Sequence, residues 1–184
     1  MKEKLDPNQI LIAEFEYAAQ TARQANEDRG KVFELFLANI FTLFAAALLP
    51  NIFNFENRAI YVFIFLGLFI FGLVSLFQLV KTRVAWKSSV IAMNKIKDFY
   101  VENNKDLARA FKWRMDNIPK ANSKLAVIFA QGISIMVLNA MNITFIIYLL
   151  LFQGFRLLYI PILVIPFFIC FIMQFIVWEK LLKN

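Results

Sequence analysis

The chain has 184 residues, a formal net charge of +7, no His, one Cys and 60% hydrophobic residues, against 18% charged. Soluble domains carry about 45–50% apolar and about 25% charged residues, so this balance, with the apolar residues gathered into blocks, reads as an integral membrane protein. Without His there is no imidazole base, triad or ligand, a single Cys excludes an internal disulfide or a Cys-rich zinc site, and Gly30, Gly67, Gly72, Gly132 and Gly154 are too scattered for a phosphate loop or dinucleotide fingerprint.

Residues 1–31 are expected to form a cytoplasmic amphipathic helix, not a signal peptide, because no short apolar region precedes a cleavage site. Asp6 is placed to cap it and Pro7 fits the first helical position. Leu11, Phe15, Ala18, Ala22 and Ala25 recur at alternating spacings of four and three, a heptad seam whose alanines allow close approach. Surface-lying membrane helices carry Lys and Arg on the polar face, yet this segment has 5 basic and 6 acidic residues. Docking on protein is therefore expected rather than docking on anionic lipid. Gly30 offers a place for a bend before the first span.

Four apolar blocks follow, at about 32–50, 59–80, 125–152 and 157–178. Each approaches or exceeds the ~20 residues that cross ~30 Å of hydrocarbon at 1.5 Å per residue. They predict an all-α integral membrane protein with four transmembrane helices and a cytoplasmic helical layer. The units are the helix 1–31, a first transmembrane hairpin 32–80, a basic cytoplasmic segment 81–124, a second hairpin 125–178 and a tail 179–184. The connectors 51–58 and 153–156 hold one basic residue each, and the other 18 of the 20 lie in the remaining polar segments. Positive charge stays inside, so both termini and the middle segment are assigned to the cytoplasm, at a bacterial inner membrane.

The middle segment carries 11 basic and 4 acidic residues. Trp86, Val90, Met93, Lys97 and Tyr100 recur at helical spacing, so the second span is expected to continue as one long helix. Asn103 and Asn104 mark a turn, Asp106 is positioned to cap a second short helix through Leu107 and Phe111, and Ile118–Pro119 ends it. Asn122 or Ser123 then caps the third span. The basic excess reflects the positive-inside bias, with an acidic cytosolic partner as the sharper alternative. No specific nucleic acid is expected.

The spans hold no ionisable group at depth, which argues against proton-coupled transport and voltage sensing. The third carries Gln131, Ser134, Asn139 and Asn142, which fall within an arc of about 140° at 100° per residue. Hydrogen bonding between helices is the favoured role for this face, with a narrow aqueous path or a ligand site as alternatives. On the first span Ala38, Thr42 and Ala46 form a small-residue face with Asn39 and Ala45 beside it, suited to packing within the monomer or between subunits. Pro161 and Pro166 lie in the fourth span, where Pro166 frees the Ile162 carbonyl. Cys170 reads as an unreactive thiol, and Tyr61, Tyr159 and Trp178 as interfacial belt residues.

The stretch Phe15-Glu16-Tyr17-Ala18-Ala19-Gln20-Thr21-Ala22-Arg23, running through Asp28-Arg29-Gly30 into the first span, resembles the opening of small bacterial membrane proteins of the SLATT kind. The resemblance covers residues 10–105 and rests on layout. It implies a non-enzymatic, pore-forming or membrane-perturbing effector or sensor that self-associates into a homo-oligomer. The second hairpin departs from that layout. The alternative is an accessory anchor that recruits a cytosolic partner through the basic segment, and a third reading is a transporter of a small neutral solute. No cofactor is expected.

Overall fold

A computed structural model of the chain describes residues 6–47, 58–111, 114–115, 127–151 and 159–183, with the side chains of 43–47 outside that description. The described residues are helical and contain no strand: α1 Pro7–Ala47, α2 Arg58–Asn103, α3 Val127–Leu151 and α4 Ile160–Lys183, with a 3-10 turn Lys105–Arg109 after α2. The connectors 51–57 and 153–156, the Ile118–Pro119 terminator and the cap at Asn122 or Ser123 lie outside the described residues.

The start of α1 follows from its sequence. Pro7 is its first residue, and the Asp6 Oδ1 accepts a hydrogen bond from the Asn8 N–H at 3.0 Å, filling one of the donors that a helix start leaves open. Gly30 does not interrupt it. The helix is continuous for 41 residues through that position, so residues 7–47, which join the polar segment to the first apolar block, are one rod of about 62 Å. A single Gly costs a helix only about 0.5–1 kcal/mol, too little to break one packed on both sides of it.

α2 is likewise continuous for 46 residues, about 69 Å. After it the expected short α-helix is replaced by the 3-10 turn, and its cap is Asn104, whose side chain accepts from the Asp106 N–H at 3.2 Å. Asn104 wins over Asp106 because the chain is already extended there, at φ −146° and ψ 101°, the backbone shape of a cap residue. The Arg114 guanidinium then reaches back to Asp98 on α2 at 2.8 Å.

α1 packs against α2, α2 against α3 and α3 against α4, with a shorter contact between α2 and α4. Two ring contacts fix the antiparallel register of α1 on α2. Phe36 stacks on Phe71 with centroids 6.3 Å apart, and the Lys97 ammonium lies 5.8 Å from the Phe15 ring. Along this line Ala18, Ala22 and Ala25 are buried. The core draws on all four helices: Phe36 and Ile40 from α1, Leu76 and Leu79 from α2, Ile135 and Met136 from α3, Trp178 and Leu182 from α4.

Three helices, α2, α3 and α4, are long and apolar enough to cross a membrane. Their outward faces carry Phe63, Ile70, Leu150, Ile165, Ile169 and Met173 in the open. Pro166 sits inside α4.

Candidate functional site: a buried amide cluster

The polar arc of α3 divides by depth. Asn139 is fully enclosed and Asn142 nearly so, on the same face as Ile128, Ile135 and Ile146. Gln131 is half-buried with its Oε1 enclosed. Ser134 is half-buried and donates to the Ala130 carbonyl at 3.0 Å, so its hydroxyl is satisfied within its own helix and ties nothing across.

Asn139 makes the link between helices. Its Nδ2 donates to the Gln174 Oε1 on α4 at 3.0 Å, and the Gln174 Nε2 donates in turn to the Cys170 carbonyl at 3.3 Å and lies 3.0 Å from the Cys170 sulfur. On the other side α2 presents Gly72, where a Cβ would collide with the Asn139 carboxamide. Gly72 is required here: only a residue without a side chain lets the α2 backbone approach the amide. Four polar atoms in or near this cluster are enclosed without a hydrogen-bond partner among the described residues: the Asn139 Oδ1, the Asn142 Nδ2, the Gln131 Oε1 and the Trp178 Nε1.

Trp178 completes the floor. Its ring packs on Phe129 at 5.7 Å and Phe175 at 6.4 Å, over Gly132. Sequence placed Trp178 in an interfacial belt, whereas the side chain is in the core, 2% exposed, because Gly132 opens a slot for it. Between α2 and α4 a cavity of about 650 Å³ is bounded by Phe69, Leu73, Phe77, Ile147 and Met173, with Gln174 and Trp178 at its wall.

The chemistry available is that of neutral amides. They donate and accept hydrogen bonds and hold helices together, and they neither gain nor lose a proton near neutral pH. No group of three or more His, Cys, Asp or Glu is gathered among the described residues.

The other sequence candidates are placed as follows. Leu11 and Phe15 are half-buried, and with Ala18, Ala22 and Ala25 they line the α1 face turned to α2. Ala38 and Thr42 face outward, as does Asn39, whose Nδ2 bonds back to the Leu35 carbonyl at 2.8 Å; the Thr42 hydroxyl bonds to the Ala38 carbonyl at 2.7 Å. This small-residue face therefore packs on none of the chain's own described helices, and the side chain of Ala46 lies outside the described residues. Tyr61 is buried and Tyr159 half-buried.

Sequence reasoning overlooked Gln174, Gly72 and the buried polar line of α2, Ser75, Arg83 and Asn94. A signal was there for the first: Gln174 is the one amide in the apolar block 157–178, and a lone amide in such a block needs a partner. For Gly72 and the α2 line the signal lay in their pairing with other helices, which one helix pattern does not contain. No family model, curated protein or solved structure matches the chain.

Proposed function

We propose that the chain is a non-enzymatic, self-associating integral membrane protein. It has four spans with both termini in the cytoplasm of a bacterial inner membrane, and acts as an effector or sensor of the pore-forming or membrane-perturbing kind. The first span is the block 32–50, uncharged from Leu35 to Pro50, carried by the second half of α1.

The observation that carries self-association is the outward face of α1, where Ala38, Asn39 and Thr42 point away from α2. In hydrocarbon, helices associate through small residues that let backbones approach and through amide and hydroxyl hydrogen bonds. A face with both features, turned from its own bundle, suits a second copy of the same chain, whose equivalent Asn39 supplies the matching donor and acceptor. The amide cluster of α3 and α4 supports the reading from the other side, since it is spent on holding the monomer together.

The test is cross-linking in native membranes. With Cys170→Ser as background, Ala38→Cys should give a disulfide-linked dimer on mild oxidation, while Phe63→Cys on the outer face of α2 should not. A chain that stays single-copy in lipid nanodiscs and gives no Ala38 cross-link overturns self-association.

The anchor reading has its own support. The α2 helix runs from Lys81 to Asn103 beyond its apolar block, about 35 Å of rod, paired with the first half of α1 and carrying the basic excess. Capture of an acidic cytosolic protein by wild type, lost when Lys87, Lys95 and Lys105 are changed to Gln, would favour it.

A further inference from the structure

The cavity between α2 and α4 has two walls of the same plan. On α2, Phe69, Leu73 and Phe77 line it at spacings of four, and Lys81 is the next residue of that series. On α4, Cys170, Met173 and Val177 line it at spacings of three and four, and Lys180 follows three residues on. Residues three and four apart share a helix face, so each apolar wall ends in a lysine. The two ends lie at one end of the bundle. Gly72 on α2 and Gln174 on α4 both meet Asn139, while Phe65 meets Phe145 and Gly132 meets Trp178. α3 is therefore antiparallel to both neighbours, and α2 and α4 run parallel. Both lysines are exposed, and the Lys81 ammonium lies 4.7 Å from the centre of the Phe77 ring, which sets its charge at the rim of the cavity. Neither lysine takes part in an ion pair among the described residues, and Glu179, the carboxylate next to Lys180, is held by Lys183 at 3.7 Å.

Below the rim the walls have little to offer a polar guest. Gln174 is the one amide in them, and its Oε1 accepts from Asn139 while its Nε2 donates to the Cys170 carbonyl. The Trp178 Nε1 is enclosed. The volume, about 650 Å³, lies in the range of pockets that hold a ligand. From Phe69 to Lys81 the wall rises about 18 Å, and from Cys170 to Lys180 about 15 Å. Half of a ~30 Å hydrocarbon core is about 15 Å. The space therefore suits an occupant that is hydrocarbon for the depth of one leaflet and anionic where the lysines stand.

We propose that the α2–α4 groove binds one anionic phospholipid, with an acyl chain against Leu73, Phe77, Met173 and Val177 and the phosphate at Lys81 and Lys180. Lysine holds phosphate as a point charge, and an anionic membrane surface attracts each lysine near it. A zwitterionic lipid fills the groove without neutralising the lysines, so the anionic headgroup is what the charge pattern selects. The site rests on the membrane reading above, in which this is the cytoplasmic leaflet.

The test uses the full chain with Trp86→Phe and Trp113→Phe, which leaves Trp178 at the groove wall as its one indole. In a bromine-free detergent, phosphatidylglycerol with brominated acyl chains is titrated in, and phosphatidylcholine with the same chains is the zwitterionic reference. Bromine quenches an indole that it touches. Phosphatidylglycerol should half-quench Trp178 at about a tenfold lower mole fraction than phosphatidylcholine. Lys81→Gln with Lys180→Gln should erase that preference and leave quenching by phosphatidylcholine as it was. Lys87→Gln with Lys95→Gln removes the same charge from α2 beyond the groove and should keep the preference. Leu73→Phe, which puts a ring into the groove, should weaken quenching by both lipids. Equal quenching by the two lipids overturns the site, as does a preference that survives the loss of Lys81 and Lys180. A preference lost equally with Lys87 and Lys95 means diffuse attraction and also overturns it. So does a Trp178 that both lipids reach only after dilution to one copy per micelle, since a second copy then fills the groove. Flotation with vesicles separates this from the membrane reading. A chain that floats without the preference overturns the site and leaves the membrane reading standing. A chain that does not float overturns the membrane reading, and the site with it.

Discussion

Gly72 and Asn139 share one space: the position of a Cβ on Gly72 is taken by the Asn139 carboxamide. The α2–α3 contact at this height depends on the absence of a side chain, and the Asn139–Gln174 hydrogen bond depends on that contact. Gly72→Ala should therefore push the amide off Gln174 and destabilise the bundle by about 1–3 kcal/mol, the range of overpacking. Gly67→Ala is the control, since nothing lies within 4 Å of its Cβ position. Melting in detergent should fall for the first and hold for the second. Equal behaviour of the two would show that the close approach at Gly72 is not needed.

The hydrogen bond itself is measured by a double-mutant cycle of Asn139→Leu and Gln174→Leu. Each single change leaves one buried polar atom of the other amide without this partner, the Gln174 Oε1 or the Asn139 Nδ2, so each should cost more than the bond is worth. The coupling should be about 0.6 kcal/mol and no more than about 1.7. Additive losses would mean that the two amides act independently.

How far the sequence carries to this site depends on how local the cause is. The Asp6–Pro7 start of α1 and the shared face of Asn139 and Asn142 were readable because capping and helical period are properties of neighbouring residues. The partner of Asn139 was not, because Gln174 is 35 residues away and its meeting with Asn139 is decided by which faces α3 and α4 present to each other. Gly30 misled for the same reason: its local preference for bending is small beside the packing of α1 along α2. Asn104 and Asp106 compete as caps within three residues, where propensities alone barely differ.

Docking of the first half of α1 is tested at Ala18 and Ala22, which are 4% and 7% exposed. Leu at both positions adds bulk where the helix axes approach closely, an overpacking of about 1–3 kcal/mol per site. The helix should lift from α2, and trypsin should then cut after Arg23, whose side chain is exposed but whose backbone is held in helix. Protection equal to wild type would contradict the seam.

Topology is tested with single cysteines in the Cys170→Ser background. Lys105→Cys is chosen because Lys105 is exposed beside the capping Asn104 and leaves the cap intact. An impermeant maleimide should label it only after the cells are opened, whereas Asn54→Cys in the connector 51–57 should label in intact cells. Labelling of Lys105→Cys from outside would overturn the cytoplasmic placement.

Trp178 over Gly132 gives a test of packing that does not involve the amides. A Cβ on Gly132 would lie 2.8 Å from the Trp178 Cζ2 and 3.0 Å from its Cε2, too near for either ring to stay where it is. Gly132→Ala should cost about 1–3 kcal/mol, because the indole is flanked by Phe129 and Phe175 and would have to leave its packing on them and shift toward the cavity it borders. Trp178→Phe should cost less than the lost ring area implies, since it also removes a buried Nε1 that has no acceptor among the described residues. The two changes together should be milder than their sum: the smaller ring leaves room for the new methyl, and the methyl fills part of the gap left by the indole. Residues in contact show such coupling at about 0.5–3 kcal/mol, whereas independent sites add to within about 0.3–0.5. Melting temperatures of the four proteins in one detergent decide it, and strict additivity would mean that the slot at Gly132 is not what seats Trp178.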